Sequence, residues 1–278
     1  MARLVGFIGN RPDLGARAIE LEDRALTVRR KEGVIPGWGV GFYQGGEILL
    51  KRRPIDDRPE ISLVDMTKDV RADILVAHVR AATVGSLRTE NTHPFRYRQW
   101  LFAHTGTVEG FARLRSQLSD SLPQFLQRDV RGETDSEILF HLFLSFLHDS
   151  GQLDRPNVDA ASARAALRSS IALVDRLCAE EGAGPSAMNI VVTNPEYLLA
   201  AHGGTPMAYR IYQGSDDMER LLSDGGLGRM RMPDYAASRL TLVASDFDDD
   251  QCPAGWTHVG ERAIVTFTRA DAPAIEPI

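Results

Sequence analysis

The strongest constraint on the fold is how strand-like and helix-like stretches are grouped along the chain. Short apolar runs come first, at residues 4–8, 39–43, 47–51, 74–79 and 100–103. The second and third of these flank Gln44-Gly45-Gly46, a hairpin signal. A helix is expected between the first two runs, near residues 15–30. Two further helical stretches follow the strand group. In residues 136–148 the apolar side chains Ile138, Leu139, Leu142, Phe143 and Phe146 recur at helical spacing, and Leu167, Ile171, Val174 and Cys178 repeat the pattern. Between these helices, residues 149–159 carry Gly151, Pro156 and Asn157 and read as a loop. A second strand group then fills residues 188–192, 197–201, 207–212, 240–244 and 263–267, with Thr193-Asn194-Pro195-Glu196 as a turn. Strands in groups, with helices between the groups, predict an α+β chain of packed, mostly antiparallel sheets with helices outside. There is no internal repeat, low-complexity stretch or clean linker, so residues 1–278 read as one domain.

Composition narrows the function classes. Lys+Arg is 32 against Asp+Glu 38, a formal net charge of −6 that argues against a nucleic-acid binder. No run approaches the roughly 18 apolar residues of a membrane span. The first residues show no apolar signal core with a cleavage site. Cys178 and Cys252 form neither a disulfide framework nor a zinc pattern, which fits a reducing, cytoplasmic compartment.

Three segments carry candidate chemistry. One is His78-Val79-Arg80-Ala81-Ala82-Thr83-Val84-Gly85. The next is Asn91-Thr92-His93-Pro94-Phe95, followed by Phe102-Ala103-His104-Thr105-Gly106. The last is Gly132-Glu133-Thr134-Asp135-Ser136-Glu137. Each has a structural explanation when taken alone. Arg80 suits an ion pair at a strand end, His104-Thr105-Gly106 a strand-to-turn junction, and Thr134 to Glu137 a capped, acidic helix start.

Together with Gly37-Trp38-Gly39 and the first strand, these segments resemble the class II glutamine amidotransferases. Within that group they are most similar to the stand-alone ergothioneine-pathway and γ-glutamyl hydrolase branch of the N-terminal-nucleophile hydrolases. The resemblance runs from Met1 to about Phe267 and includes residues 189–201 and Trp256-Thr257-His258-Val259. It implies a four-layer αββα sandwich of two mostly antiparallel sheets flanked by helices. It also implies glutaminase-type chemistry without a cofactor. A cysteine at position 2 attacks the side-chain amide, and its own α-amine handles the proton. A side-chain amide and a backbone N–H hold the oxyanion. An arginine fork takes the substrate carboxylate and an aspartate takes its ammonium. Carried over, Arg80 matches the carboxylate binder, Asp135 the ammonium binder and Gly106 the backbone oxyanion donor. Asn91, His93 and Phe95 match the segment that shapes the pocket wall, Trp38 matches a motif near the active strand, and His78, Asn91, His93 and Trp38 are expected among the substrate-binding residues.

Two central positions depart from this pattern. Position 2 is Ala2, and a methyl group cannot attack a carbonyl. Position 105 is Thr105, where the resemblance calls for the oxyanion asparagine. Losing one oxyanion donor costs about 10²–10³ in rate. Cys178 on a helix and Cys252 in an acidic loop are no substitutes. The expectation is therefore a pseudoenzyme with a binding or regulatory role, whose partner is glutamine, a γ-glutamyl compound or a protein. One alternative is a pure interaction scaffold. Another is an active enzyme seen as a variant, with Ala2 in place of a natural cysteine.

Other features carry no site. Asp246, Asp248, Asp249 and Asp250 lack calcium-loop spacing. The run Gly225-Gly226-Leu227-Gly228 lacks a preceding strand and a following lysine, so it is no phosphate loop. Arg29-Arg30-Lys31 and Lys51-Arg52-Arg53 read as solvated faces. His78, His104, His202 and His258 show no metal-ligand spacing.

Overall fold

A computed structural model describes residues 2–30, 32–34, 36–81, 84–223, 237–247 and 252–278. In chain order its strands are β1 (Arg3–Gly9), β2 (Val28–Arg29), β3 (Gly37–Gln44), β4 (Glu47–Arg53), β5 (Glu60–Ile61), β6 (Ile74–Arg80), β7 (Phe95–Tyr97), β8 (Trp100–Thr107), β9 (Ala187–Thr193), β10 (Leu198–His202), β11 (Met207–Gln213), β12 (Arg239–Ser245), β13 (Thr257–His258), β14 (Ala263–Phe267) and β15 (Ala274–Pro277). The helices are α1 (Gly15–Leu21), α2 (Asp23–Leu26), α3 (Leu63–Thr67), α4 (Phe111–Asp120), α5 (Gln124–Gln127), α6 (Asp135–Asp149), α7 (Ala160–Glu180) and α8 (Gly214–Ser223).

One sheet has the order β13-β11-β12-β1-β6-β3-β4, and the other β15-β14-β10-β9-β8-β7. Strands β2 and β5 form a small separate pair. Every pairing among the described residues is antiparallel. The sheets stack face to face and bury Leu4, Ile8, Val76, Leu101, Val191 and Leu198 between them. The outer face of the first sheet packs Val5, Phe7 and Val40 against α1, α3 and α8. The outer face of the second packs Trp100, Phe102 and Ile190 against α4 to α7. The result is the αββα sandwich, α+β in class, that the grouped strands and the resemblance predict.

Strand alternation decides which side chain meets which layer, because successive residues point to opposite faces. Along β1, Leu4 and Ile8 join the inter-sheet core while Val5 and Phe7 join the helix-side core. Gly6 lies where the sheets come closest. A Cβ there would stand 2.7 Å from Leu198 Cδ1 and 2.9 Å from Val243 Cγ1.

The structure corrects and extends the sequence reading in places. The single helix expected near 15–30 is two short helices and a strand. The chain turns extended at Thr27 (φ −63°, ψ 136°), and Val28 is buried opposite Ile61. Helix α4 was not anticipated, although Phe111, Leu114 and Leu118 are its buried stripe. Met1, Lys31, Ala82, Thr83, the glycine run at 225–228 and Asp248 to Asp250 lie outside the described residues. Asp246 is described, and its carboxylate accepts from the Thr205 and Ser245 hydroxyls, both at 2.6 Å.

Candidate active site

The site forms at one end of the two sheets, and alternation builds it. His78 and Arg80 sit on β6 in phase with Val76, so both belong to the inter-sheet face. Arg3 pairs with Val79, which sets Ala2 beside Arg80 and in phase with Leu4. On β8, Thr105 is in phase with Leu101 and Ala103 and faces the same gap, whereas His104 is in phase with Phe102 and faces α6. The His78 Nε2 and Thr105 Oγ1 atoms lie 3.2 Å apart, joining the two sheets. The His104 Nδ1 and Ser136 Oγ atoms lie 2.9 Å apart, joining β8 to α6.

Helix α6 brings Asp135 to the gap. Its start is fixed by Thr134, whose hydroxyl accepts from the Glu137 N–H at 3.2 Å. Asp135 and Glu137 place negative charge in the first turn, where the helix dipole favours it. The Glu137 carboxylate accepts from the N–H groups of Arg131 (2.8 Å) and Gly132 (2.6 Å), which secures the approach to the helix.

Ala2, His78, Arg80, His93, Thr105, Gly106 and Asp135 line one cavity together with His104, Thr134 and Ser136. Its volume is about 30 Å³, the share of one liquid water molecule. The groups that would grip an amino acid are engaged with the chain itself. Arg80 donates to the carbonyls of Val84 (2.5 Å), Ser86 (3.2 Å) and Gly85 (3.4 Å), rather than forming the ion pair its strand-end position suggests. The Asp135 carboxylate accepts from the N–H groups of Val108 (2.8 Å) and Ser136 (2.9 Å). The hydroxyls are engaged too: Thr105 with His78, Thr134 as a helix cap and Ser136 with His104.

The three histidines form a neutral, buried wall. Burial pushes the His78 imidazole down to about 3, with His104 and Arg80 adding to the shift. Burial likewise holds His93 well below its ordinary value, reinforced by His78, His104, Arg80 and Arg52. His104 is lowered by burial, partly offset by the Asp135 charge. The His78 and His93 rings are 4.3 Å apart, and His93 meets Phe95 edge-on at 4.7 Å.

Gly106 and Gly39 permit this closeness. Gly106 has φ +132°, and a Cβ there would lie 1.8 Å from the Ala187 carbonyl oxygen. A Cβ on Gly39 would lie 2.1 Å from the His93 carbonyl oxygen.

Three residues expected around the substrate, Trp38, Asn91 and Phe95, do not line the cavity, and Phe95 instead meets the His93 ring edge-on. Trp38 is on the helix-facing side of β3, and its indole N–H donates to buried Asp56 at 2.7 Å. Asn91 stands behind the wall. Its Oδ1 accepts from the Glu133 N–H at 2.8 Å, and its Nδ2 donates to the Ser86 carbonyl at 3.0 Å. His104 and Ser136 line the cavity although the sequence reading gave them no role there; their signal was adjacency to Thr105 and Asp135. Among the described residues, no cluster of His, Cys, Asp or Glu could hold a metal ion.

Comparison with known proteins agrees with this architecture. The profile of the class II glutamine amidotransferases matches residues 1–224. A Saccharomyces cerevisiae protein named Probable glutamine amidotransferase DUG3 is 31% identical over 138 residues, 47% of this chain and 38% of its own length. The chain spans 51% and 64% of two further relatives. A Mycobacterium tuberculosis γ-glutamyl-hercynylcysteine sulfoxide hydrolase is 36% identical over 117 residues, 39% of this chain and 50% of its own. A solved glutamine aminotransferase class-II domain protein from Silicibacter pomeroyi superposes with a TM-score of 0.59. It covers 99% of this chain and 98% of its own at 20% identity, and so it speaks to fold alone. By its profile match over residues 1–224, the chain belongs to the class II glutamine amidotransferases.

Proposed function

We propose that this chain is a catalytically silent class II amidotransferase-type protein that works by binding or regulation rather than by turnover. The observation that carries the reading is Ala2: a methyl group stands in the cavity at the position that the family resemblance gives to a thiol nucleophile. Thr105 supports it, because its hydroxyl is tied to His78 where an asparagine amide would serve an oxyanion. The partner expected from the family is glutamine or a γ-glutamyl compound, held by Arg80 and Asp135 in a reducing, cytoplasmic setting.

A second reading, a scaffold that binds a protein and no amino acid at this site, has its own supporting observation. The cavity holds about 30 Å³, and Arg80 and Asp135 are already bonded to backbone groups. A glutamine could enter only if residues 84–86 released Arg80.

Calorimetric titration with L-glutamine tests the reading. A saturable heat that Arg80→Ala abolishes supports an amino-acid-binding pseudoenzyme. No heat at two temperatures supports the scaffold. Heat flow that continues after mixing means turnover and overturns both.

A further inference from the structure

The open edges of the two sheets frame a second, larger cavity. Strand β4 ends one sheet and β7 ends the other, and the Arg96 guanidinium on β7 donates to the Ile48 carbonyl on β4 at 3.1 Å. Between them lies a cavity of about 320 Å³, within the size range of small-molecule sites. It neighbours the Ala2 site: residues 93–95 give His93 to one cavity and Phe95 to the other, and α6 gives Asp135 to one and His141 to the other.

Its charges are unusual in being uncommitted. Arg52 and Arg96 both line it, and, beside burial, the Arg96 charge adds to the lowering of the Arg52 guanidinium. Among the described residues neither has a carboxylate within ion-pair distance; each donates to one backbone carbonyl, Arg52 to that of Thr92 at 3.3 Å. Burial lowers the Arg52 guanidinium, with Glu90 and Glu137 opposing the shift. Two half-paired guanidinium groups side by side are a costly arrangement unless an anion joins them, and their planar forks suit a carboxylate.

The same cavity presents acceptors. Glu90 and Asp129 line it, and Asp129 has only distant partners, His141 Nε2 at 3.6 Å and Arg131 at 3.9 Å. His141 is buried. Its Nδ1 donates to the Glu137 carbonyl at 2.8 Å, and its Nε2 has no hydrogen-bond partner. A buried polar atom left unsatisfied is destabilising. The lining holds as many cations as anions, so a free anion or a free cation gains no net attraction. A molecule carrying both signs gains from each side. Leu50, Phe95 and Phe140 add an apolar floor.

We infer that this cavity is a binding site for a zwitterionic amino acid with an apolar side chain. Its carboxylate lies on Arg52 and Arg96, its ammonium faces Glu90 and Asp129, and its side chain rests against Leu50, Phe95 and Phe140. The inference is independent of whether the Ala2 site binds anything.

Equilibrium dialysis with tritiated L-leucine tests it, since that readout does not depend on binding enthalpy. The competitors are 4-methylpentanoate, which lacks the ammonium, and 3-methylbutylamine, which lacks the carboxylate. Saturable leucine binding is expected, with each competitor at least about tenfold weaker, because a charged hydrogen bond is worth about 1.5–3 kcal/mol. Arg52→Gln and Arg96→Gln, checked for native melting, should each weaken leucine about tenfold or more. Glu90→Gln should weaken leucine and strengthen, or at least not weaken, 4-methylpentanoate. The inference is overturned by absence of saturable leucine binding, or by 4-methylpentanoate competing as well as leucine. It is equally overturned if folded Arg52 and Arg96 variants bind like the parent protein.

Discussion

Around Ala2, the charged and hydroxyl groups suited to holding a substrate are bonded to the chain itself, and about 30 Å³ is left between them. Around Arg52 and Arg96, farther along α6, the cavity is about ten times larger and its charges have few partners. The difference shows that an inherited set of residues and a usable site are separate properties. Arg80 and Asp135 occupy the positions that the resemblance assigns to a substrate clamp, yet both work here as ties for residues 84–86, 108 and 136. Of the second cavity's lining, Phe95 and Glu137 lie in segments that carry the resemblance, but Arg52, Arg96 and Asp129 do not, and its sparsely partnered charges give it more capacity to hold a ligand.

The sharpest way to break this comparison is to restore chemistry at the first cavity. Ala2→Cys alone should release little ammonia from L-glutamine, because Thr105 still lacks the amide donor. Adding Thr105→Asn should raise the rate by about 10²–10³. Equal rates for the single and double variants would contradict the role given to position 105. If neither shows activity, more than these two groups is missing, as the engagement of Arg80 and Asp135 suggests.

Packing gives the next largest effect. Gly106→Ala should destabilise the fold by at least the roughly 1–3 kcal/mol of ordinary overpacking, read as a lowered thermal midpoint, since its Cβ would meet the Ala187 carbonyl oxygen at 1.8 Å. Glu90→Gln at the open cavity should shift stability by no more than about 0.5 kcal/mol.

Acid should act through the first cavity. Its histidines are buried neutral, and an unfolded imidazole titrates near 6.5 against about 3 for folded His78. Between those values the unfolded chain binds protons that the native chain refuses. Stability should therefore be unaffected by this group above about pH 6.5 and should fall steadily as pH drops from there toward 3. Denaturant unfolding at stepped pH measures the slope, and His93→Phe should make it shallower. The smallest effect belongs to Arg52→Gln: relief of repulsion from Arg96 is set against loss of the bond to the Thr92 carbonyl, so the melting temperature should move little.

Most of the sandwich could be read from the sequence because its strands are apolar over several residues and its long helices keep a 3.6-residue stripe. What escaped was local. Thr27 and Val28 continue an apparent helix in composition, but β-branched residues favour the extended chain, and pairing with Ile61 settles it. Helix α4 carries its three buried side chains among exposed polar ones and offered a weaker signal. At the site, the motifs name Ala2, His78, Arg80, His93, Thr105, Gly106 and Asp135, and these residues line one cavity. Trp38 shows what motif proximity leaves out. In Gly37-Trp38-Gly39 the glycines and the tryptophan point to opposite faces of β3, so the glycine face approaches the site while the indole goes to Asp56. The second cavity was invisible in sequence. Its residues come from β4, β7, α6 and the segments around 90 and 129, and no short motif joins them.

The most direct test of the account is ammonia release from L-glutamine by the unaltered protein, measured against a heat-denatured control and against Ser136→Ala. Equal rates in all three are predicted, because the cavity holds a methyl at position 2 and its hydroxyls are tied. Release above the heat-denatured control would contradict a silent site, and its loss in Ser136→Ala would place the nucleophile on the hydroxyl beside His104.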